Sequence, residues 1–429
     1  MMFPSTMLLA TDPLLSEPIG QVDLLLMSAK VLTAFAFLLV SVMLLIWFER
    51  KLISHMHQRI GPTIAGPWGI LQTLADGIKL FFKEDLIPSN SDRFVFKLAP
   101  YLSLVPAFLI FTIIPFGGDF NHTSTQTDPA ALGTVTWRDH ATYLQIADPH
   151  VGILLFLAMS SIAVYGIMLA GWASGSKYPL LGSVRASAQM ISYEAALGLS
   201  VASVVLMTGS ISTHDMVAAQ AGDGFAGILP NWNVLATGLV PFFVFAIAGT
   251  AELNRPPFDL VEAEQELVGG FHTEYSSIRF ALFFLAEFMN TITMSAIIVT
   301  LFFGGPAGPV LIDSIIGSDI GWAWGVLWFF AKLFVFLFCF VWVRATLPRF
   351  RYDQLMNMGW KLLTPTALLW FLFLSAINIG DSQGWHRALV LAVSLPIMLL
   401  AVVLIKQAAI NSSRTQEQEH TQQPLDNSP

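Results

Sequence analysis

Apolar runs of roughly 20 residues, almost free of Asp, Glu, Lys and Arg, follow one another along this chain with short polar clusters between them. A hydrocarbon layer of about 30 Å takes about 20 residues of α-helix to cross, so each run predicts one membrane helix. The predicted spans cover roughly residues 21–47, 96–116, 150–172, 187–208, 234–252, 277–302, 322–345, 363–380 and 386–406, with the last two joined by a tight turn from Asp381 to Trp385. No segment alternates with period two, as a membrane barrel would, and helices are the other way to satisfy every backbone group in lipid. The pattern predicts an all-α polytopic integral membrane protein of about nine transmembrane helices.

The polar stretches differ in kind. Trp68 to Glu84 carries Gln72, Asp76, Lys79 and Lys83 on one helical stripe, with Leu71, Leu74, Ile78 and Phe82 around the rest of the cylinder. That is the pattern of an amphipathic helix lying in the interface, whether as a functional element or as a plain surface anchor. Residues 1–20 contain Pro4, Pro13 and Pro18 but no Lys or Arg. They lack the positive n-region of a signal peptide and read as an external lead-in. Gln407 to Pro429 is rich in Gln, Ser, Asn and Thr without apolar periodicity, and reads as a disordered polar tail. Between these ends lies one helical membrane domain, 21–406, with long inner loops at 49–97 and 252–278.

Composition sharpens this picture. Apolar residues make up 55% of the chain and charged ones 12%, with mean hydropathy +0.66; soluble domains carry about 25% charge. A soluble globular enzyme is excluded, and no nucleic-acid partner is expected. With the N-terminus outside, seventeen Lys and Arg fall on inner loops or helix ends, and two, Arg138 and Arg387, on outer loops. Basic residues favour the inner side, so the C-terminus is expected there too. The single cysteine, Cys339, can form no internal disulfide, Cys-based zinc site or iron–sulfur cluster. Any electron carrier is expected on another chain.

Some motifs are decoys. Gly222 to Gly227 satisfies G-x-G-x-x-G, but the dinucleotide fingerprint needs a βαβ unit around it and this one sits in an outer loop. Asn121-His-Thr123 and Asn411-Ser-Ser413 match the glycosylation pattern and carry as little weight. His55 and His57 are spaced as a metal pair could be, but lie among basic residues and read as solvated loop histidines, so no metal site is expected.

Ionisable residues within the apolar spans say more, because each costs at least about 2.5–3.5 kcal/mol at a helix centre. Glu194 lies about two turns into the fourth span and Glu287 about ten residues into the sixth; Lys30 and Lys332 lie in the first and seventh. Arg344, near the inner end of its helix, can snorkel. Short glutamate side chains cannot, and a buried carboxyl relieves its cost by holding a proton, which is the chemistry of a proton relay. The fifth inner loop opposes the basic trend: Glu252, Asp259, Glu262, Glu264, Glu266 and Glu274 lie within 23 residues, with Arg255 the one arginine among them. If that segment is helical, Asp259, Glu262 and Glu266 share a face; if extended, Glu262, Glu264 and Glu266 do. Either way the carboxylates cannot all ionise cheaply. Pro256-Pro257-Phe258 with Leu260, Val261, Leu267 and Val268 suggests a packed element rather than a solvated loop.

At these residues the sequence resembles a known family. The run AELNRPPFDLVEAEQELVGGFHTEYSSIRFALFFLAEF is similar to the signature of the H subunit of bacterial NADH:quinone oxidoreductase, respiratory complex I. Its mitochondrial counterpart is the first NADH dehydrogenase membrane subunit. Further blocks agree: ERKLISHMHQRIGP, GPWGILQTLADGIKLFFKED, VYGIMLAGWASGSKYPLLGSVRASAQMISYE, VWVRATLPRFRYDQLM and GWKLLTP, in the expected order from about residue 49 to 365. The resemblance implies a multi-pass subunit of the bacterial inner (plasma) membrane that joins the hydrophilic arm to the membrane arm. Its substrate would be a quinone; flavin and iron–sulfur clusters would sit on partner subunits. Partners would include hydrophilic-arm subunits at the quinone site and antiporter-like subunits of the membrane arm. Carried over, Glu49, Arg50, Arg59, Asp76, Lys79 and Glu84 would line or brace the quinone channel, with Arg255, Asp259, Phe271, Glu274 and Tyr275 at its inner end. Glu252, Glu262, Glu264 and Glu266 would begin an acidic path through Glu194 and Glu287, with Arg185 and Arg344 as charge partners. The family usually has eight membrane helices; a ninth here, and the long outer loop from Gly117 to Pro149, depart from it.

Two rivals remain. The membrane subunit of an energy-converting hydrogenase shares a related scaffold without needing quinone, but matches ERKLISHMHQRIGP and HTEYSSIRFALFF less well. A stand-alone secondary transporter would tend to show internal repeats, and none is visible.

Overall fold

The protein's computed structural model describes residues 12–15, 20–118, 120, 132–137, 140–221, 230–260, 268–308 and 321–386, with single positions at 390, 392–394, 396 and 407. The long helices are α1 (Gln21–Met56), α3 (Arg93–Phe111), α4 (Gly152–Ala173), α5 (Lys177–Thr208), α8 (Ser277–Phe302), α9 (Gly321–Thr346) and α10 (Tyr352–Ser382, with a π-helical turn at Met358–Leu363). Among the described residues, seven helices are thus long and apolar enough to cross a membrane. The shorter elements are α2 (Gln72–Phe81), a hairpin of β1 (Thr134–Trp137) and β2 (His140–Tyr143), α6 (Thr213–Gln220) and α7 (Leu239–Glu252). The chain is a polytopic helical membrane protein. The predicted ninth span and polar tail lie almost wholly outside the described residues.

Helix ends depart from the predicted spans for physical reasons. Phe48-Glu49-Arg50-Lys51 ends the apolar run but not the helix: α1 continues to Met56, so His55 sits on a helix and not in a loop. At 1.5 Å per residue its 36 residues measure about 54 Å, well beyond a bilayer core, so its charged end stands clear of the lipid. Likewise α5 begins at Lys177. Arg185 therefore lies inside the helix, over the Tyr352 ring at 5.3 Å. By contrast, α7 has only 14 residues, about 21 Å. A break at Gly238 (φ +81) separates it from a single turn at Asn233–Ala236, so the fifth predicted span is a discontinuous helix.

At the centre stands α8, with 72% of its apolar window buried, against 17% for α9 and for α10. It packs against α1, α3 and α9, while α5 bridges α4, α7 and α10. Lipid gives helices little hydrophobic reason to associate, so small residues that admit close approach matter. A Cβ on Gly171 of α4 would sit 2.1 Å from Ser183 Oγ of α5. Many buried hydroxyls bond carbonyls four residues back, as Thr293 does to Met289 (2.8 Å) and Ser295 to Thr291 (2.8 Å), which satisfies those donors within their own helix.

Lys30 and Lys332, set within apolar stretches of their helices, have structural partners. The Lys332 ammonium donates to the carbonyls of Phe303 (2.7 Å) and Gly305 (2.9 Å) at the C-terminus of α8, where the helix dipole favours a cation. Lys30 donates to Asp12 (2.7 Å), Thr142 (2.8 Å) and the Tyr143 carbonyl (3.1 Å), tying the lead-in and the hairpin to α1. The hairpin is too short to show a period in sequence. It pairs Thr134 with Tyr143 through Trp137 with His140. Beneath it, Asp148 accepts a hydrogen bond from Ser212 Oγ (2.8 Å). Burial pushes the Asp148 carboxyl from 3.8 up to about 6, against the lowering pull of that hydrogen bond and of His214.

The folded chain thus holds this proton more tightly than the unfolded chain does. Stability around the hairpin is expected to fall as pH rises from about 4 to about 6 and to level off above, a change of about 3 kcal/mol at most. Thermal unfolding in detergent across that range checks it: Asp148→Asn should flatten the slope.

Candidate functional site

Opposite the hairpin, at the basic end of the bundle, four elements deliver charged side chains to one place. The extension of α1 brings Glu49, the turn after α7 brings Arg255, the middle of α8 brings Glu287 and the end of α9 brings Arg344. Glu49 is 6% exposed and Arg255 7%. Arg255 Nη1 lies 3.3 Å from Glu49 Oε1, and its Nε lies 2.8 Å from Glu287 Oε1. Arg344 makes a second ion pair to Glu49. The Arg255 guanidinium also lies 4.1 Å from the Phe288 ring centroid, a cation–π contact.

The turn holding Arg255 is fixed by its neighbours. Gln189 of α5 donates to the carbonyls of Ala251 (2.7 Å) and Phe258 (2.9 Å). Phe350 N donates to the Pro257 carbonyl (3.1 Å), and the Phe258 and Phe350 rings stack at 5.5 Å. Asp259, 2% exposed, pairs with Arg349 at 3.2 Å. The acidic loop is therefore packed at its start, as Pro256-Pro257-Phe258 suggested. Glu262, Glu264 and Glu266 lie outside the described residues.

Two cavities meet at this network. One, about 990 Å³ counted with the open space at its mouth, is bordered by Glu49, Arg50, Arg255, Glu287, Phe288 and Arg344. The other, about 750 Å³ on the same basis, is bordered by Glu252, Asp259, Phe271, His272, Glu287 and Asn290. They share Phe284 and Glu287. Beyond, a smaller cavity holds Glu252 and Asn290 again together with Ser160. Glu252 is buried and close enough to Glu194 for their charges to interact. Glu194 of α5 accepts a hydrogen bond from Ser161 of α4.

The remaining predicted residues spread out. Arg50 pairs with Asp76 of α2 at 2.6 Å on an exposed face, and Asp76 also accepts from Gln72 (3.2 Å). Lys79 and Glu84 are exposed. Arg59 is exposed too and bonds His57 (2.9 Å). Glu274 is half-buried and borders neither large cavity. Tyr275 stacks on Phe96 at 4.0 Å and donates to the Phe96 carbonyl (3.2 Å), so its hydroxyl faces α3. Among the described residues no cluster of His, Cys, Asp and Glu could hold a metal ion.

Sequence reasoning missed His272, Asn290, Ser160 and Ser161. Burial lowers His272 from 6.5 to about 4, so its imidazole is neutral near pH 7. The only signals were a polar pair and a lone Asn inside apolar runs. A family model described as NADH dehydrogenase matches residues 29–375, a stretch that contains every ion pair of this site.

Breaking a buried ion pair from one side leaves the other charge stranded. Arg255→Met is expected to destabilise the protein by about 3–5 kcal/mol, seen as an earlier thermal transition in detergent. Arg50→Ala, which breaks an exposed pair, should cost about 1 kcal/mol or less.

Proposed function

The chain belongs to the NADH dehydrogenase family, and we propose that it is the membrane subunit that forms the quinone-access chamber of a proton-pumping NADH:quinone oxidoreductase. The observation that carries this reading is the junction at Arg255. There a charged cavity open toward the basic end shares Glu287 with a cavity that reaches the buried Glu252. An isoprenoid tail suits the apolar walls, including Phe284 and Phe288. The polar end suits a headgroup that takes up two electrons and two protons to become a quinol. The electrons would come from iron–sulfur clusters on partner subunits.

Coupling in this reading is electrostatic. A quinone that gains electrons beside Glu49, Arg255 and Glu287 draws on the local cations and protons, and the change in charge biases which nearby carboxyl holds a proton. Glu252 and Glu194 carry that bias away from the chamber, toward antiporter-like subunits of the membrane arm. The exposed pair of Arg50 with Asp76 and α2, in which no residue is fully buried, suit contact with the hydrophilic arm. The orientation follows the basic bias, with the N-terminus outside a bacterial plasma membrane.

Mild-detergent purification of the tagged chain tests the assignment. A large assembly containing flavin and iron–sulfur clusters is expected. Nickel without bound quinone would point instead to a hydrogenase-type complex, and a lone monomer that still transports would point to a carrier. In the intact complex, Glu194→Gln is expected to lower protons moved per electron several-fold with flavin and cluster content unchanged. Full pumping by that variant would remove the relay.

A further inference from the structure

We propose that the basic end of the molecule carries a site for an anionic phospholipid, formed where the end of α2 meets the first turns of α3. Lys83, Arg93 and Lys97 hold the phosphate headgroup, and the exposed aromatic rings beside them take the acyl chains. The proposal rests on the membrane placement of the chain and not on the quinone reading.

A few residues at the start of α8 fix both parts of the site. Ser277 Oγ donates to the carbonyls of Leu80 (3.0 Å) and Lys83 (2.8 Å) at the end of α2, and Leu86 N donates to Ser276 Oγ (3.0 Å). Tyr275 stacks on Phe96 of α3 at 4.0 Å, and the Arg279 guanidinium lies 5.6 Å from the same ring. Lys83 and the first turn of α3 are therefore held against one short stretch of chain. The depth follows from the other end of α2. There Thr73 Oγ donates to the Met43 carbonyl (3.2 Å), inside the apolar stretch of α1 and about 9 Å below Glu49. So α2 lies at the level of the lipid headgroups and not above the bilayer.

Charge at this place is unbalanced. Among the described residues, Lys83, Arg93 and Lys97 are exposed and make no ion pair or side-chain hydrogen bond. Arg50, Arg255, Arg279 and Arg344, by contrast, each have a carboxylate. Of the three carboxylates between Lys83 and Lys97, Asp85 is taken by Arg279 at 2.9 Å. Asp92 caps α3, accepting from Phe94 N (3.1 Å) and Val95 N (3.3 Å). That leaves Glu84 against three cations. Apolar surface lies directly beside them: Phe82 is 83% exposed and Phe94 75%. On α3 the exposed Phe94, Leu98, Tyr101, Val105 and Leu109 follow at spacings of three and four, one helical stripe that runs from the cations toward the middle of the bilayer. Lys97 stands one turn inside α3, so its stem runs along the edge of that stripe while its ammonium reaches the headgroups. Cations at the headgroup level, then rings, then aliphatic surface is the order in which a phosphodiester and its two acyl chains are met. A soluble partner would answer the cations and leave the stripe below them bare.

The test uses the whole complex in nanodiscs of equal phosphatidylglycerol and phosphatidylcholine, with the photocrosslinker p-benzoylphenylalanine encoded in place of Val105. After illumination, mass spectrometry of the chain reads which lipid is attached. Phosphatidylglycerol adducts are expected to exceed phosphatidylcholine adducts at least two-fold. Lys83→Gln, Arg93→Gln and Lys97→Gln together should bring that ratio close to one, whereas Lys83→Arg, Arg93→Lys and Lys97→Arg together should keep it. Equal adducts with both lipids in the complex with native cations overturn the proposal, and so does a ratio that the glutamine changes leave untouched. Finding no lipid adduct at all overturns it too, because a protein partner then covers this face. Should the glutamine variant fail to assemble, the crosslinker complex is read in about 1 M salt, where the screening length is about 3 Å; a preference that survives there overturns the proposal. Flavin and iron–sulfur content, measured in each sample, reports separately on the subunit's assignment.

Discussion

Arg255 sits where four elements would otherwise bring like charges together in a poorly hydrated interior. Glu49 and Glu287 are tolerable there because one guanidinium, lying over the Phe288 ring, answers both, and Arg344 answers Glu49 a second time. The attraction only offsets the desolvation of these groups when geometry is good and each partner is present. The constraint is therefore exacting. The end of α1, the turn after α7, the middle of α8 and the end of α9 must all meet at one point for any of these side chains to be buried. The packing of the basic end follows from that meeting.

The same rule explains how polar groups are housed elsewhere. Lys332 has the carbonyls that α8 cannot use at its own end. Lys30 has a carboxylate, a hydroxyl and a carbonyl from the lead-in and the hairpin. Gln189 holds two carbonyls of the turn that positions Arg255. In a medium without water a stranded donor costs several kcal/mol, so these side chains work as joints between elements. The result is a frame around a few carboxyls, and Glu194 among them is answered by the Ser161 hydroxyl instead of a cation.

Much of this was legible in the chain itself. Twenty-residue apolar runs can do little but form membrane helices, because backbone groups in lipid must bond within their own segment. Intramembrane Glu194 and Glu287 stood out for the same reason, since a charge in an apolar run costs energy wherever it ends up. The proline-rich start of the acidic loop likewise announced packing. Helix ends were less legible. Glu49 to Lys51 looked like the end of a span, yet a helix ends only where its hydrogen-bond ladder ends, and α1 runs on to Met56.

Partnership between distant residues is a different kind of information. Arg255 and Glu49 are 206 positions apart, and Arg344 and Glu49 are 295 apart; no periodicity links them, because their meeting depends on how whole helices cross. Ser161 reads as a small polar residue in an apolar run until α5 is set beside α4, where its hydroxyl meets Glu194. The sequence by itself determined a helical membrane protein with costly carboxyls in known segments, since local burial and hydrogen bonding follow from local composition. Only the tertiary structure decided which charge answers which, and which hydroxyl faces which carboxyl, since electrostatic pairing depends on distance in space and not along the chain.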